Sequence, residues 1–496
     1  MGEVPFFSRF GYTEDDRADC REALRRMLPE HELMTHKYQG YCSYTVLLLY
    51  RPRRQHTITR EEEVHGHHSD GKARLDIEQE EALKQPPPPP NDPFWNQSLI
   101  IQFRPVPFAL NIDTARLART IYGAFAPQVR SLGLFGPQTR HHNVHHAHSS
   151  RRPLTVTAQS LIPGIPYSAM QPYHSRLSPA QRTRQEALVR DFAAFLARGW
   201  RRDDGEHPPG PLAAATPHKL HLLSRRLPSR VLRRAAEETL KRLPLLERLP
   251  LALNHGDVVP GNVMVVGASS GGQLGGQRRG EEGGEEELEC CRMAGLVDWA
   301  EAQVGPWGVP LYGLEFLLGF VWKRLSSSSV SAAGGREGKG EAVSGVGERD
   351  GGGGAAWGAD AHTLNSGNGE PTTTTWRWTY YDCAAHLRRL FWTELKGRIG
   401  ELAADGDGEG KGEGGREEEG EGEGEKLMQA VRVARDVGVL LWFGFAWDEG
   451  RIDRVVNSLD DSREVCLLET FLGGGALAGE GDGDGGGGSR VGGVKL

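Results

Sequence analysis

Asn254-His255-Gly256-Asp257-Val258-Val259-Pro260-Gly261-Asn262-Val263-Met264-Val265-Val266 is the stretch on which the reading of this chain turns. A carboxylate, a Pro-Gly breaker pair and an amide side chain precede an apolar run that reads as a strand. His-x-Asp followed by four residues and Asn is the spacing of a phosphoryl-transfer loop. There a carboxylate orients the proton of an attacking hydroxyl, and an Asn a few residues on offers an oxygen to a magnesium ion. The bland alternative is a pair of side chains capping a turn, as Asp and Asn often do. The length of the matching run and a second carboxylate downstream favour the chemical reading.

That second carboxylate ends Ala294-Gly295-Leu296-Val297-Asp298, a short strand. Magnesium takes hard oxygen ligands and bridges nucleotide phosphates, so such a site needs a carboxylate here. The order Asp257, Asn262, strand, loop, strand, Asp298 predicts three oxygen-bearing side chains at the ends of two adjacent hairpin strands. His255 reads as the residue that holds the loop backbone by hydrogen bonding.

Around this centre the pattern is mixed. Residues 13–28 read as an amphipathic helix capped by Thr13, and Thr45–Tyr50, Leu99–Phe103 and Leu154–Ser160 as strands. Helices are expected over Asp113–Phe125, Ser178–Trp200 and Arg230–Leu243. Trp307, Tyr312, Phe316 and Phe320 recur at helical spacing and read as core. A strand-rich N-terminal part and a helical C-terminal part make an α+β chain.

Of the 496 residues only 38 % are hydrophobic and 66 are glycine. Segments 53–98, 267–289, 326–375 and 403–425 and the tail 473–496 have few apolar side chains to offset chain entropy. They are expected as insertions and a disordered tail, which leaves about 300 residues to fold, one domain by the usual size range. The net charge of −7 is spread without a basic face, which argues against nucleic acid as a partner. Six cysteines without a Cys-x-x-Cys pair fit neither a zinc site nor a disulfide scaffold and suit a reducing interior. Met1–Phe10 lacks a signal pattern, and the apolar stretches Leu311–Trp322 and Gly438–Trp447 are too short to span a bilayer. A cytoplasmic protein without membrane partners is expected. Histidines 141, 142, 145, 146 and 148 read as an adventitious cluster, and Gly334–Gly340 has no Ser or Thr after its lysine and so is no phosphate loop.

The chain resembles the aminoglycoside phosphotransferase and choline kinase-like superfamily, relatives of the protein kinases. The matching residues are His255-Gly256-Asp257, Pro260-Gly261-Asn262, Val297-Asp298-Trp299 and Gly305-Pro306-Trp307-Gly308. Within it the chain is similar to a fungal-type group of unassigned substrate, through Gln102-Phe103-Arg104, Tyr122-Gly123 and Gly444-Phe445-Ala446-Trp447-Asp448. The resemblance implies a bilobal protein kinase-like fold: a small β-rich N-lobe over 1–160, a larger helical C-lobe over 161–472, and ATP in the cleft between them. It implies Asp257 as catalytic base, with His255 beside it, and Asn262 and Asp298 as ligands of Mg²⁺. Arg104 then stands where the family grips nucleotide phosphates, and Ser43 lies in the nucleotide-covering loop Gln39–Ser43. Gln159 and Leu161 stand in the hinge that meets the adenine edge. In kinases a helix glutamate pairs with the basic residue, yet Asp113–Phe125 holds no glutamate and Asp113 is its only acid.

The function so implied is ATP-dependent transfer of the γ-phosphoryl group to a hydroxyl of a small molecule. Its rival, motivated by the absent helix glutamate and a covering loop with one glycine, is a catalytically weak or inactive kinase-like scaffold. Phosphorylation of a protein side chain ranks lower, since no activation loop follows Asp298. The acceptor and the oligomeric state are not encoded in any motif.

Overall fold

Ile101-Gln102-Phe103-Arg104 alternates apolar and polar side chains along an extended chain, and Thr45-Val46-Leu47-Leu48 sets Val46 and Leu48 on one side, so one side must be buried. In the computed structural model, which describes residues 6–36, 39–51, 92–136, 152–200, 209–267, 291–326, 373–402, 423–448 and 451–473, both segments are strands. Strands β1 (His31–Thr35), β2 (Tyr44–Tyr50), β3 (Leu99–Pro105), β4 (Val129–Phe135) and β5 (Leu154–Ser160) form an antiparallel sheet in the order β1-β2-β3-β5-β4. On one face Val46, Leu48, Ile101, Phe103 and Val156 are buried together with Phe6 and Phe7 of helix α1 (Phe6–Arg9) and Cys20 and Leu24 of α2 (Glu14–Met27). Thr13 starts α2 through a capping box with Asp16. The other face carries Thr45, Gln102, Arg104, Thr157 and Gln159, a polar stripe across three strands.

Helix α3 (Ile112–Tyr122) follows β3 and stops at Gly123; the last turn expected to run to Phe125 is a 3₁₀ turn. Tyr122 is buried against Phe195, and its hydroxyl donates to the carbonyl of Leu253. Phe195 lies in α4 (Pro179–Gly199), a helix opened by a Ser178–Gln181 capping box with Pro179 in its first turn. After α4 come α5 (Pro211–Arg226) and α6 (Arg230–Arg242), then β7 (Leu251–Asn254). The two-residue strand β6 (Ile165–Pro166) precedes α4 and pairs with β8 (Val263–Val266), which pairs in turn with β9 (Arg292–Leu296). β7 pairs instead with β10 (Gln303–Pro306). The segment between Asn254 and Val263 thus leaves one small sheet and enters another.

The rest of the described chain is α7 (Gly313–Leu318), β11 (Gly319–Ser326), β12 (Thr373–Tyr380), α8 (Ala384–Arg398), α9 (Glu423–Phe443), β13 (Phe445–Asp448), β14 (Arg451–Val455) and α10 (Ser462–Leu472). The helical spacing that seemed to carry through Phe320 breaks at Leu318; Phe320 lies on β11 opposite Thr379. The aromatic and β-branched residues on both sides favour a strand pair over a longer helix. β12 begins at Thr373 and α9 at Glu423, inside two segments the sequence reading leaves without structure. Threonines suit a strand, and Glu423 and Glu425 suit the positive end of a helix dipole. The histidine cluster, Gly334–Gly340, the tail beyond Gly473 and most of the insertions lie outside the described residues. Among the described residues no helix is long and apolar enough to cross a membrane.

Candidate active site

Between β7 and β8 the chain must turn sharply, and Gly256 allows it. Its φ is 83°, and a Cβ there would lie 2.3 Å from the carbonyl oxygen of Glu301. His255 is fully buried, with its Nε2 3.0 Å from the carbonyl of Val297 and its Nδ1 3.2 Å from the backbone N–H of Asp257. A carbonyl only accepts and an N–H only donates, so the ring is neutral with its proton on Nε2. Burial pushes its pKa down to about 4. His255 therefore ties the loop to the end of β9, and both ring nitrogens are used in doing so. The ring also packs edgewise on Trp299, with centroids 4.5 Å apart.

A second strap was not visible as such in the sequence. The Tyr312 hydroxyl accepts from the Val258 N–H at 2.9 Å and donates to the Gly256 carbonyl at 3.1 Å. Helical spacing marked Tyr312 only as core, and its ring is indeed buried. No local signal separates a packed tyrosine from one whose hydroxyl holds a loop 54 residues away.

The loop so held brings Asp257 and Asn262 together. The Asn262 Nδ2 donates to the Asp257 Oδ2 at 2.7 Å and to its carbonyl at 3.1 Å. The Val297 N–H donates to the Asn262 carbonyl at 3.0 Å, which fixes the register between the loop and the chain leading to Asp298. Asp298 sits just past β9 with φ 61° and ψ 67°, the one non-glycine residue with positive φ among those described. Such a conformation costs energy, on the order of 1 kcal/mol or more, and is sustained by surrounding contacts. One of these is an ion pair: Arg104 Nη2 lies 2.9 Å from Asp298 Oδ1, with the two side chains 6 % and 44 % exposed.

The Asp257 Oδ1 is buried and has no hydrogen-bond partner among the described residues. Burial, and after it the charge of Asp298, holds the Asp257 carboxyl well above the usual carboxylate range, against the hydrogen bond from Asn262. An orphaned carboxylate oxygen, a neighbouring carboxylate and an amide whose nitrogen is already engaged make a donor set of hard oxygens that fits Mg²⁺. Among the described residues no three His, Cys, Asp or Glu side chains close on one point. Asn262 and Asp298 would supply two protein ligands, leaving the remaining positions to water and phosphate oxygens, as magnesium usually prefers.

The remaining sequence candidates lie on the sheet and its loop. Arg104 is buried at the end of β3; its Nε donates to the Gln102 Oε1 at 3.2 Å, and the same oxygen accepts the Gln159 Nε2 at 2.8 Å. Asp113 does not replace the missing glutamate: its side chain is 93 % exposed and pairs with Arg116. Ser43 is buried, with its hydroxyl 3.3 Å from that of Thr45, in a tight turn where Gln39 bonds both the N–H and the carbonyl of Thr45. The Leu161 N–H points back to the Ser98 carbonyl at 3.4 Å. Thr157, opposite Gln102 in register, keeps a buried hydroxyl without a partner.

The turn over Gln39–Ser43 meets a late segment of the chain. The Tyr41 ring meets Trp447 of β13 edge-on at 4.1 Å, and Arg9 caps that ring at 3.8 Å while donating to the Tyr41 carbonyl. The Cys42 thiol is pushed up to about 11 by burial, with Arg104, Asp298, Glu301 and Arg9 all acting on it. The turn therefore lies within electrostatic reach of the Arg104–Asp298 pair.

No family model and no curated protein matches the sequence. Among solved structures, the chain is similar to the aminoglycoside phosphotransferase APH(3'')-Id from Streptomyces rimosus, at 11 % identity over 60 % of this chain and 81 % of that one, with a TM-score of 0.27. It is also similar to that protein in complex with ADP and streptomycin, at 12 % identity over 43 % of this chain and 69 % of the other, with a TM-score of 0.26.

Proposed function

We propose that this chain transfers the γ-phosphoryl group of ATP to a hydroxyl of a small molecule. The observation that carries the reading is the convergence of Asp257 and Asn262, 2.7 Å apart, with Asp298 close enough for its charge to act on Asp257. Hard oxygens on one loop and one strand end, backed by a buried arginine, are what phosphoryl transfer asks of a protein. A magnesium ion held by Asn262 and Asp298 would offset the charge of the phosphates. Asp257 would accept a hydrogen bond from the acceptor hydroxyl and aim it in line with the phosphorus. His255 and Tyr312 keep the Asp257 backbone in place, so the carboxylate loses little on reorienting. The sheet over 1–160 and the elements over 161–472 would act as the two lobes flanking the nucleotide.

A second reading is favoured by one observation, the engagement of Asp298, a candidate magnesium ligand, by Arg104. It is a kinase-like scaffold that binds without turnover. Two measurements separate the readings: thermal shift with magnesium and ATP, and ATP turnover against a panel of hydroxylated metabolites. Stabilisation with turnover that Asp257→Ala abolishes supports the phosphotransferase. Stabilisation without turnover by any acceptor supports the scaffold, and no stabilisation at all removes the nucleotide from both.

A further inference from the structure

Arg104 poses a problem of charge that the sequence leaves open. Its side chain is 6 % exposed, and among the described residues the carboxylate in ion-pair contact with it is Asp298, a candidate magnesium ligand, with the charge of Arg104 also felt by Glu301. No acid of α3 reaches it, because Asp113 faces solvent. A buried guanidinium whose ion pair is with a candidate metal ligand would swing with that residue unless something else held it.

The structure supplies a second hold. Gln102 lies two residues before Arg104 on β3, on the same face, and its Oε1 accepts from the Arg104 Nε at 3.2 Å and from the Gln159 Nε2 at 2.8 Å. Arginine can only donate, so the Gln102 atom turned towards it must be the oxygen, and Gln159 must then turn its nitrogen to that oxygen. The arginine thus dictates the orientation of both amides, and the amides fix the arginine. Gln159 comes from β5, so the hold is anchored on a neighbouring strand, not on the flexible arginine stem alone. With Nε on Gln102 and one Nη2 hydrogen on Asp298, the other N–H groups of the fork have no hydrogen-bond partner among the described residues and suit phosphate oxygens.

We propose that Gln102 and Gln159 are positioning residues that set the Arg104 guanidinium for the nucleotide phosphates, an amide pair doing what a helix carboxylate does elsewhere. This rests on the nucleotide-binding reading above. The two amides act in series: Gln159 orients Gln102, and Gln102 holds Arg104.

The test compares Mg²⁺·ATP and adenosine binding, by calorimetry, in the wild type, Gln102→Leu, Gln159→Leu, the double variant and Gln102→Glu. Expected are a loss of about tenfold in ATP affinity for Gln102→Leu, the size of one lost buried hydrogen bond, and unchanged adenosine affinity. The double variant should be no weaker than Gln102→Leu, and Gln102→Glu, which keeps the acceptor oxygen, should bind ATP close to the wild type. In turnover the loss should appear in KM for ATP more than in kcat. Gln102→Leu and Gln159→Leu proteins that bind ATP as the wild type does would overturn the proposal while leaving the nucleotide site standing. Equal losses for ATP and adenosine would assign the amides to general structure and also overturn it. A wild type that binds neither ligand would sink the nucleotide-binding reading itself, and this proposal with it.

Discussion

Arg104 Nη2 lies 2.9 Å from Asp298 Oδ1, joining strand β3 to the residue that follows β9 across 194 positions of sequence. The pair is asymmetric, because the arginine is buried and the aspartate is 44 % exposed. Removing the aspartate strands a buried charge, whereas removing the arginine returns a half-exposed carboxylate to water. Asp298→Ala is expected to cost about 2 kcal/mol of stability after allowance for solvent screening, and Arg104→Met less than about 1 kcal/mol. Urea denaturation of both variants checks the order. The reverse order would mean that the pair does not set the energetics of this region.

Asp257 combines an orphaned oxygen with a carboxyl raised by burial and by Asp298. Asp257→Asn keeps the shape and an acceptor for Asn262 but sheds the buried charge. The variant is expected to gain about 1 kcal/mol in denaturant stability. It should lose turnover by about 10²-fold to 10⁴-fold, the usual worth of a positioned base. A variant that is both less stable and fully active would contradict the assignment.

His255 gives a pH dependence whose sign is set by its neutral, buried state. Its folded pKa is about 4 against 6.5 for the free side chain. Between these values the unfolded chain binds more protons than the folded one, so stability is present above about pH 6.5 and is lost as the pH falls towards 4. The loss attributable to this residue is about 3 kcal/mol. Chemical denaturation of wild type and His255→Gln between pH 7 and 4 should show a shallower decline in the variant.

Tyr312→Phe removes one hydroxyl that both accepts from Val258 and donates to Gly256. Both groups it leaves are on the loop between β7 and β8, and the Val258 N–H becomes a buried donor without an acceptor. The expected cost is about 1–3 kcal/mol of stability. In turnover, kcat should fall while KM for ATP changes little, since the strap holds Asp257 and not the phosphate grip. A change confined to KM would show that the strap serves nucleotide binding instead.

Some strands and helices were legible because their signals are local, whereas α5 and the elements after Thr373 were not named as such in the sequence. Thr13 with Asp16 and Ser178 with Gln181 announce helix starts, and Leu154–Ser160 is a strand in sequence and in space. β1 and β4 escaped notice: both lie at the edges of their sheet, where exposed polar residues blur the alternation. Helical spacing misled at Phe320, because a period of four in aromatic residues does not reveal where a helix gives way to a strand pair.

By itself the sequence determined the course of the loop: Gly256 and Pro260 make the turn that brings Asp257 back to Asn262. The tertiary structure decided the partners. That Arg104 answers to Asp298 and Gln102 instead of a helix acid, and that Tyr312 straps the loop, depends on contacts between elements far apart in the chain. Such contacts follow from how the sheet, α3 and the catalytic loop pack against one another. Packing is a property of the whole buried surface, and no run of neighbouring residues spells it out.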